Sequence, residues 1–303
     1  MHKTHQSPQK SRLQPPFGNS INILKIGYRQ MAYFKKTYDM GDVIDYEYSF
    51  NGNYGAKGEK RAPRVKATPE QIAKQNHTNK VKRVRRLIIL NFHPWDLWLT
   101  LKYPRGTRMT SKEVLKDVQD WTGKLRSRYR KAGEELKWIR RIEIGKYGGI
   151  HVHILINRPR SIKDIDLVCK ELWGRAGINF QSLREEGGYE QLAEYICKKA
   201  KDDETEGQLS FLPEEDRKRC LSYKTSKNLV RPEDVFNKDC EKKYSHWTMR
   251  RLIEEGPKPK EGYYIDKNSI RTGINKYTGK SYYQYTEIKL NNRWETAEKE
   301  DCG

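Results

Sequence analysis

Gly149-Ile-His-Val-His-Ile-Leu-Ile-Asn157 begins with apolar and polar residues in strict alternation and ends in an apolar run. This is the signature of a strand buried on one face. In a strand, residues i and i+2 share a face, so His151 and His153 point one way. Ile150, Val152, Ile154 and Ile156 point into the opposite layer. Upstream, Lys137 to Ile144 is predicted as the preceding strand, joined to it by a turn over Gly145 to Gly149. Before that, Ser111 starts a helix with Leu115, Val118, Trp121, Leu125 and Tyr129 at steps of three and four. Val84 to Asn91 is predicted as a strand, His93-Pro-Trp-Asp96 as a turn, and Leu97 to Tyr103 as a second strand stopped by Pro104-Arg-Gly106. Downstream, Asp164 to Trp173 is predicted as a helix closed by Gly174, Ile178 to Leu183 as a strand, and Tyr189 to Lys201 as a helix. The order ββαββαβα has too few long crossovers for a parallel sheet. It predicts an α+β fold: a five-stranded antiparallel sheet with helices on one side.

The flanks carry weaker patterns. Residues 1–22 read as a disordered tail, and 23–82 as a basic N-terminal extension with short strands between Ile23 and Tyr54. Gly52 to Lys66 reads as a loop. Thr68-Pro-Glu-Gln71 is a capping box that opens a helix ending near Asn76. The patterned domain spans 83–201. A C-terminal extension, 202–303, opens with an acidic linker over Asp202 to Glu215. Its helices are predicted over Leu229 to Asp239 and Trp247 to Glu255. A Tyr-rich hairpin follows between Tyr263 and Leu290, around Asn275-Lys-Tyr-Thr-Gly279.

Composition narrows the function. The 61 Lys and Arg outnumber the 40 Asp and Glu, for a net charge of +21, and 19 of the aromatics are Tyr. Charge of this sign and size, with aromatics available for base stacking, favours a nucleic-acid partner. Residues 1–86 hold 18 Lys and Arg against 6 Asp and Glu. The densest run supplies Lys80, Lys82, Arg83, Arg85 and Arg86 as candidate phosphate contacts. The longest apolar run, Leu87 to Leu90, is far short of a membrane span. The N-terminus lacks the apolar core of a secretory signal, so the expected location is the cytoplasm. Five Cys without a CxxC pair disfavour a disulfide scaffold or a four-Cys zinc site. Thr278-Gly-Lys-Ser281 lacks the first Gly of a P-loop at the required spacing and reads as a hairpin turn, so no fused helicase is expected.

Three groups can carry chemistry. Two imidazoles on one strand face can share a divalent ion. Glu143, at the end of the preceding strand, can bring a carboxylate beside them, and that set suits Mn²⁺ or Mg²⁺. Tyr195 and Lys198, spaced i and i+3 on the last helix, share a face, and an ammonium beside a phenol favours the phenolate nucleophile.

Together, Leu97-Trp-Leu-Thr-Leu-Lys-Tyr103 on an early strand, His151-Val-His153 on a later one and Tyr195-x-x-Lys198 on a helix resemble the three motifs of the HUH endonucleases. More narrowly, they resemble the rolling-circle replication initiator (Rep) proteins of plasmids and phages. The resemblance covers residues 84–201 and implies the HUH/RRM-like version of the fold. It implies a metal held at His151, His153 and Glu143, and attack by Tyr195 on single-stranded origin DNA, unpaired in a hairpin or a melted duplex. A 5′-phosphotyrosine and a free 3′-OH result, with Lys198 orienting the phosphate or the phenol. It also implies that a host helicase and polymerase complete replication. Tyr195 follows His153 by 42 residues, whereas conjugative relaxases carry their Tyr before the His pair. Gln191 and Lys199 leave Tyr195 without a second Tyr four residues away. Two rivals remain: an HUH transposase of a mobile element, and a non-catalytic nucleic-acid-binding module.

Overall fold

The computed structural model describes residues 33–50, 66–107, 109–144, 149–183, 186–198, 222–244, 246–275 and 280–290. Strands β1 (Tyr33–Asp39) and β2 (Val43–Phe50) precede a long helix, α1 (Pro69–Asn91). Then come β3 (Leu97–Lys102), α2 (Ser111–Lys131), β4 (Trp138–Ile144), β5 (Ile150–Ile156), α3 (Ile165–Trp173), β6 (Ile178–Ser182) and α4 (Glu190–Cys197). The chain continues through β7 (Lys224–Thr225), β8 (Phe236–Tyr244), α5 (His246–Glu255), β9 (Tyr263–Asn275) and β10 (Lys280–Lys289). The expected tail at 1–22, the linker at 202–215, the turn at 145–148 and the hairpin tip at 276–279 lie outside the described residues.

Thr68 and Gln71 form the capping box read from the sequence: each side chain accepts the other residue's backbone N–H. The helix it opens does not stop at Asn76. It runs for 23 residues and absorbs the predicted strand Val84 to Asn91. Val81, Val84, Leu87, Ile88 and Asn91 recur at steps of three and four and are buried, so the helical period decides. A four-residue apolar run alone cannot separate the two periods. This helix also passes straight through the boundary expected between 82 and 83.

Five antiparallel strands, in the order β6-β3-β5-β4-β7, form the sheet that carries the His pair. Its fifth strand is the two-residue β7, not the segment now in α1. Leu97, Leu99, Leu101, Val152, Ile154 and Ile156 pack against Val118, Trp121 and Leu125 of α2 and Cys169 and Trp173 of α3. The other face is also covered, contrary to the one-sided arrangement expected. Ile139 and Leu155 pack there with Val84, Leu87 and Ile88 of α1 and Ala193 and Ile196 of α4. Leu155 explains this: it interrupts the polar half of the alternation in β5 and gives that face its own apolar seat.

Both extensions join in a second antiparallel sheet, ordered β8-β1-β2-β10-β9. The helix predicted over Leu229 to Asp239 is instead a turn followed by β8. The Arg231 and Asp234 backbones close that turn (Asp234 N–H to Arg231 O, 3.0 Å), and the chain from Phe236 onward pairs with β1. The helix α5 and the β9–β10 hairpin form as read. Ile44, Tyr46, Tyr48, Tyr283 and Tyr285 pack against Met249 of α5. The opposite face presents Asp45 and Glu47 to α1, which thereby ties the two sheets together. No helix among the described residues is long and apolar enough to cross a membrane.

Asp96 staples the far end of the first sheet. Its carboxylate accepts the backbone N–H groups of His93 (2.8 Å) and Arg158 (2.7 Å) while almost fully buried. Burial, outweighing those two donors, pushes its pKa up to about 6. An unfolded Asp titrates near ~3.9. The folded state therefore holds the proton more tightly, and the stability this contributes is complete below ~3.9 and lost as pH rises through about 6. Unfolding free energy from urea titrations is expected to fall by roughly 2–3 kcal/mol across that window, and Asp96→Asn is expected to flatten the slope. A variant with an unchanged slope contradicts this assignment.

Candidate active site

The register brings the chemistry together. Thr100 on β3 and Arg141 on β4 both lie opposite His153 on β5, and Lys102 and Glu143 both lie opposite His151. Period two puts Trp98, Thr100, Lys102, Arg141, Glu143, His151 and His153 on one face. Above it, α4 carries Tyr195. A short 3₁₀ turn (Glu186–Tyr189) precedes this helix, and Ala193, Ile196 and Cys197 are its buried residues. That stripe seats α4 and leaves Tyr195 at its border, over the sheet.

The Tyr195 hydroxyl donates to Glu143 Oε2 at 2.6 Å and lies 2.9 Å from His153 Nε2. Glu143 Oε2 and His153 Nε2 are themselves 3.0 Å apart, closing a triangle. His153 is nearly buried, its Nδ1 is 3.1 Å from Thr100 Oγ1, and its ring stacks on Trp98 with centroids 5.8 Å apart. Trp98 also meets Tyr195 edge-on. His151 is more open, with its ring centroid 6.3 Å from that of His153.

Hydrogen bonding from His153, then from Tyr195, and the charge of Arg141 hold the Glu143 carboxyl at about 2 against the burial that opposes them. Burial, the hydrogen bond to Glu143 and that carboxylate's charge raise the Tyr195 phenol, while Arg141 pulls it down. Burial lowers His151, with smaller contributions from the charges of His153 and Lys102. In this arrangement Tyr195 is a protonated donor, and the carboxylate in front of it is ionised.

Glu143, His151, His153 and Tyr195 thus come together as the sequence pattern requires. Lys198 does not join them. The i, i+3 spacing places it one turn beyond Tyr195, but α4 ends at Cys197. Lys198 is the exposed C-cap with extended backbone (φ −46°, ψ 129°). The cation beside Tyr195 is Arg141, whose guanidinium carbon lies 6.0 Å from the ring centroid.

The basic run also departs from its expected role. Arg85 and Arg86 turn inward: both bond Asp45 at 2.8–3.0 Å, and Arg86 also bonds Glu47 at 2.8 Å. Lys82 reaches Glu47 and Gln284, Arg83 pairs with Glu233 at the surface, and Lys80 lies over the Tyr223 ring. The helical period explains the split, because it turns positions 82, 85 and 86 toward the acidic face of the second sheet.

Trp98, Thr100 and Arg141 carry no motif signal. Only the strand register, which sets Thr100 and Arg141 opposite His153, could have found them.

Among the described residues no three His, Cys, Asp or Glu side chains form a ready-made metal cluster. The donor set nevertheless suits a small divalent ion. Two ligands at right angles on an octahedral ion with ~2.1 Å bonds stand about 3.0 Å apart, as Glu143 Oε2 and His153 Nε2 do. His151 shares their face.

Residues 96–200, from the start of β3 to just past α4, match the family model described as replication-associated protein ORF2. No curated protein and no solved structure matches the chain.

Proposed function

We propose that this chain is a replication initiator that nicks and rejoins single-stranded origin DNA, with Tyr195 as the covalent nucleophile. The observation that carries the reading is the triangle of the Tyr195 hydroxyl, Glu143 and His153, set within a stretch that matches a replication-associated family. Tyr195 stands at the border of α4, above an open sheet face. A strand laid along that face meets Trp98 as a stacking surface beside the hydroxyl.

Glu143, His153 and His151 would hold Mn²⁺ or Mg²⁺, which when bound supplies Lewis-acid polarisation of a phosphate oxygen. Thr100 orients the ring of His153. With Nδ1–H donated to Thr100 Oγ1, Nε2 presents its lone pair to the shared point. In the chemical step Tyr195 Oη forms a bond to phosphorus and the P–O3′ bond breaks. The phenolic proton leaves along its existing contacts to Glu143 or His153, and the product is a 5′-phosphotyrosine with a free 3′-OH. Attack by a 3′-OH reverses the step and restores Tyr195. Tight packing around a neutral phenol suits a single strand better than a duplex, so a hairpin or melted origin is the proposed substrate. Helicase and polymerase are proposed to come from the host. Of the basic run, Lys80 and Arg83 remain placed to meet phosphates.

The metal assignment has its own test. His151→Ala and His153→Ala are each expected to weaken Mn²⁺ binding by calorimetry and to lower nicking by roughly 100-fold or more, since ligand-shell losses alone cost about 10–100-fold. Single-strand binding should persist. Nicking by the double variant in the presence of a chelator contradicts the assignment.

A further inference from the structure

Arg141 poses a physical problem. It is only 3% exposed, yet among the described residues no Asp or Glu forms an ion pair with it. A buried, unpaired charge is costly, and such groups are found where something specific compensates them. Here the compensation is the end of a helix. Nη1 donates to the Tyr195 carbonyl at 2.6 Å and to the Ile196 carbonyl at 3.3 Å. The last carbonyls of a helix lack partners within it and carry the negative end of its dipole, so a cation there is favourable. With eight residues, α4 is too short to hold its shape alone. The other bond to the Tyr195 carbonyl, from the Lys198 N–H, is 3.3 Å long.

The strand geometry gives this contact its meaning. Arg141 and Glu143 are neighbours on one face of β4. Arg141 holds the carbonyl of Tyr195 and Glu143 holds its hydroxyl. A single rigid strand thus grips both ends of one residue. The Nε–H of Arg141 is buried without a partner, so the side chain is placed for this contact at the expense of a hydrogen bond.

We infer that Arg141 is a positioning residue for the nucleophile: by clamping the last turn of α4 to β4 it fixes where the Tyr195 hydroxyl stands. The inference rests on the tyrosine-nucleophile reading above. It predicts a defect in the chemical step, because misplacing a reacting atom by about 1 Å costs on the order of 100-fold.

The test uses the full chain, Mn²⁺ and tiled single strands from the DNA beside its gene. Single-turnover adduct formation is measured at saturating strand, with strand affinity by anisotropy and the folded fraction by circular dichroism. Arg141→Met is expected to slow adduct formation roughly 10–100-fold per folded molecule, with the Kd for strand changed by no more than about twofold. Arg141→Lys, which keeps the charge and can reach one carbonyl, is expected to recover part of the rate, and it serves as the main variant if Arg141→Met does not fold. A wild-type rate per folded molecule in either variant overturns the inference. So does a loss of strand affinity as large as the loss of rate, which would make Arg141 a DNA contact instead. If the wild-type protein links to no strand at all, it is the nucleophile reading that fails, and the two failures are thereby told apart.

Discussion

Tyr195→Phe is expected to abolish strand cleavage and the covalent protein–DNA adduct while leaving the fold and single-strand binding in place. The substitution removes one oxygen and keeps the ring that packs edge-on against Trp98 and His153. What is lost is the donor to Glu143 and the contact to His153, worth about 1–3 kcal/mol for hydrogen bonds involving a charged group. Most domains tolerate a loss of that size. The reaction does not, because the departing oxygen is the one that must bond to phosphorus. Tyr189 is the internal control. It is buried in the core under α1, at the junction before α4, with a left-handed backbone (φ 62°). Tyr189→Phe should retain cleavage. A labelled single strand on a denaturing gel reads both outcomes, and residual adduct in Tyr195→Phe means another residue attacks.

The second large effect is on stability. Asp45→Ala is expected to destabilise the protein by roughly 3–5 kcal/mol, the usual consequence of removing one member of a buried ion pair. Asp45 accepts hydrogen bonds from Arg85, Arg86 and Thr286. Arg86, 7% exposed, would be left with Glu47 alone. Burial by itself would raise the Asp45 carboxyl, but the two guanidinium charges and the hydrogen bonds carry it below its ordinary value. Its stabilising contribution is therefore present above the unfolded pKa of ~3.9 and is lost as pH falls through the lower folded value. Asp45→Ala should accordingly lose part of the acid sensitivity of the wild type as well as stability at neutral pH. Because α1 packs on α4 through the shared core, the same variant should loosen the seat of Tyr195. A change below about 1 kcal/mol in urea titrations would show that the network is solvated.

Much of the site could be read from the amino acids because its period is local. The alternation around His151 and His153 defines β5. The steps from Leu115 to Tyr129 define α2, and Gly174, left-handed at φ 59°, closes α3. The rest depended on distant partners. The helical run of α1 was masked because its inward-facing positions include Arg85 and Arg86, whose carboxylate partners lie about 40 positions earlier in β2. Polar residues at core positions look exposed until those partners are placed. The second sheet pairs β1 with β8 and β2 with β10. Contacts between the two ends of a chain leave no local periodicity to read. Lys198 was expected on the helix because a spacing of three assumes that the helix continues, and α4 stops one residue short. Arg141 and Thr100 become visible only after β3, β4 and β5 are set in register.

The central claim is that Tyr195 forms the bond to DNA. The direct measurement is mass spectrometry of the wild-type protein after reaction with origin single strands and Mn²⁺ and digestion of both components. A nucleotide attached through its 5′-phosphate to the peptide containing Tyr195, and localised to that residue, is the predicted result. A nucleotide on Tyr189 or any other residue, or tight strand binding with no adduct under conditions where the fold is intact, would contradict it.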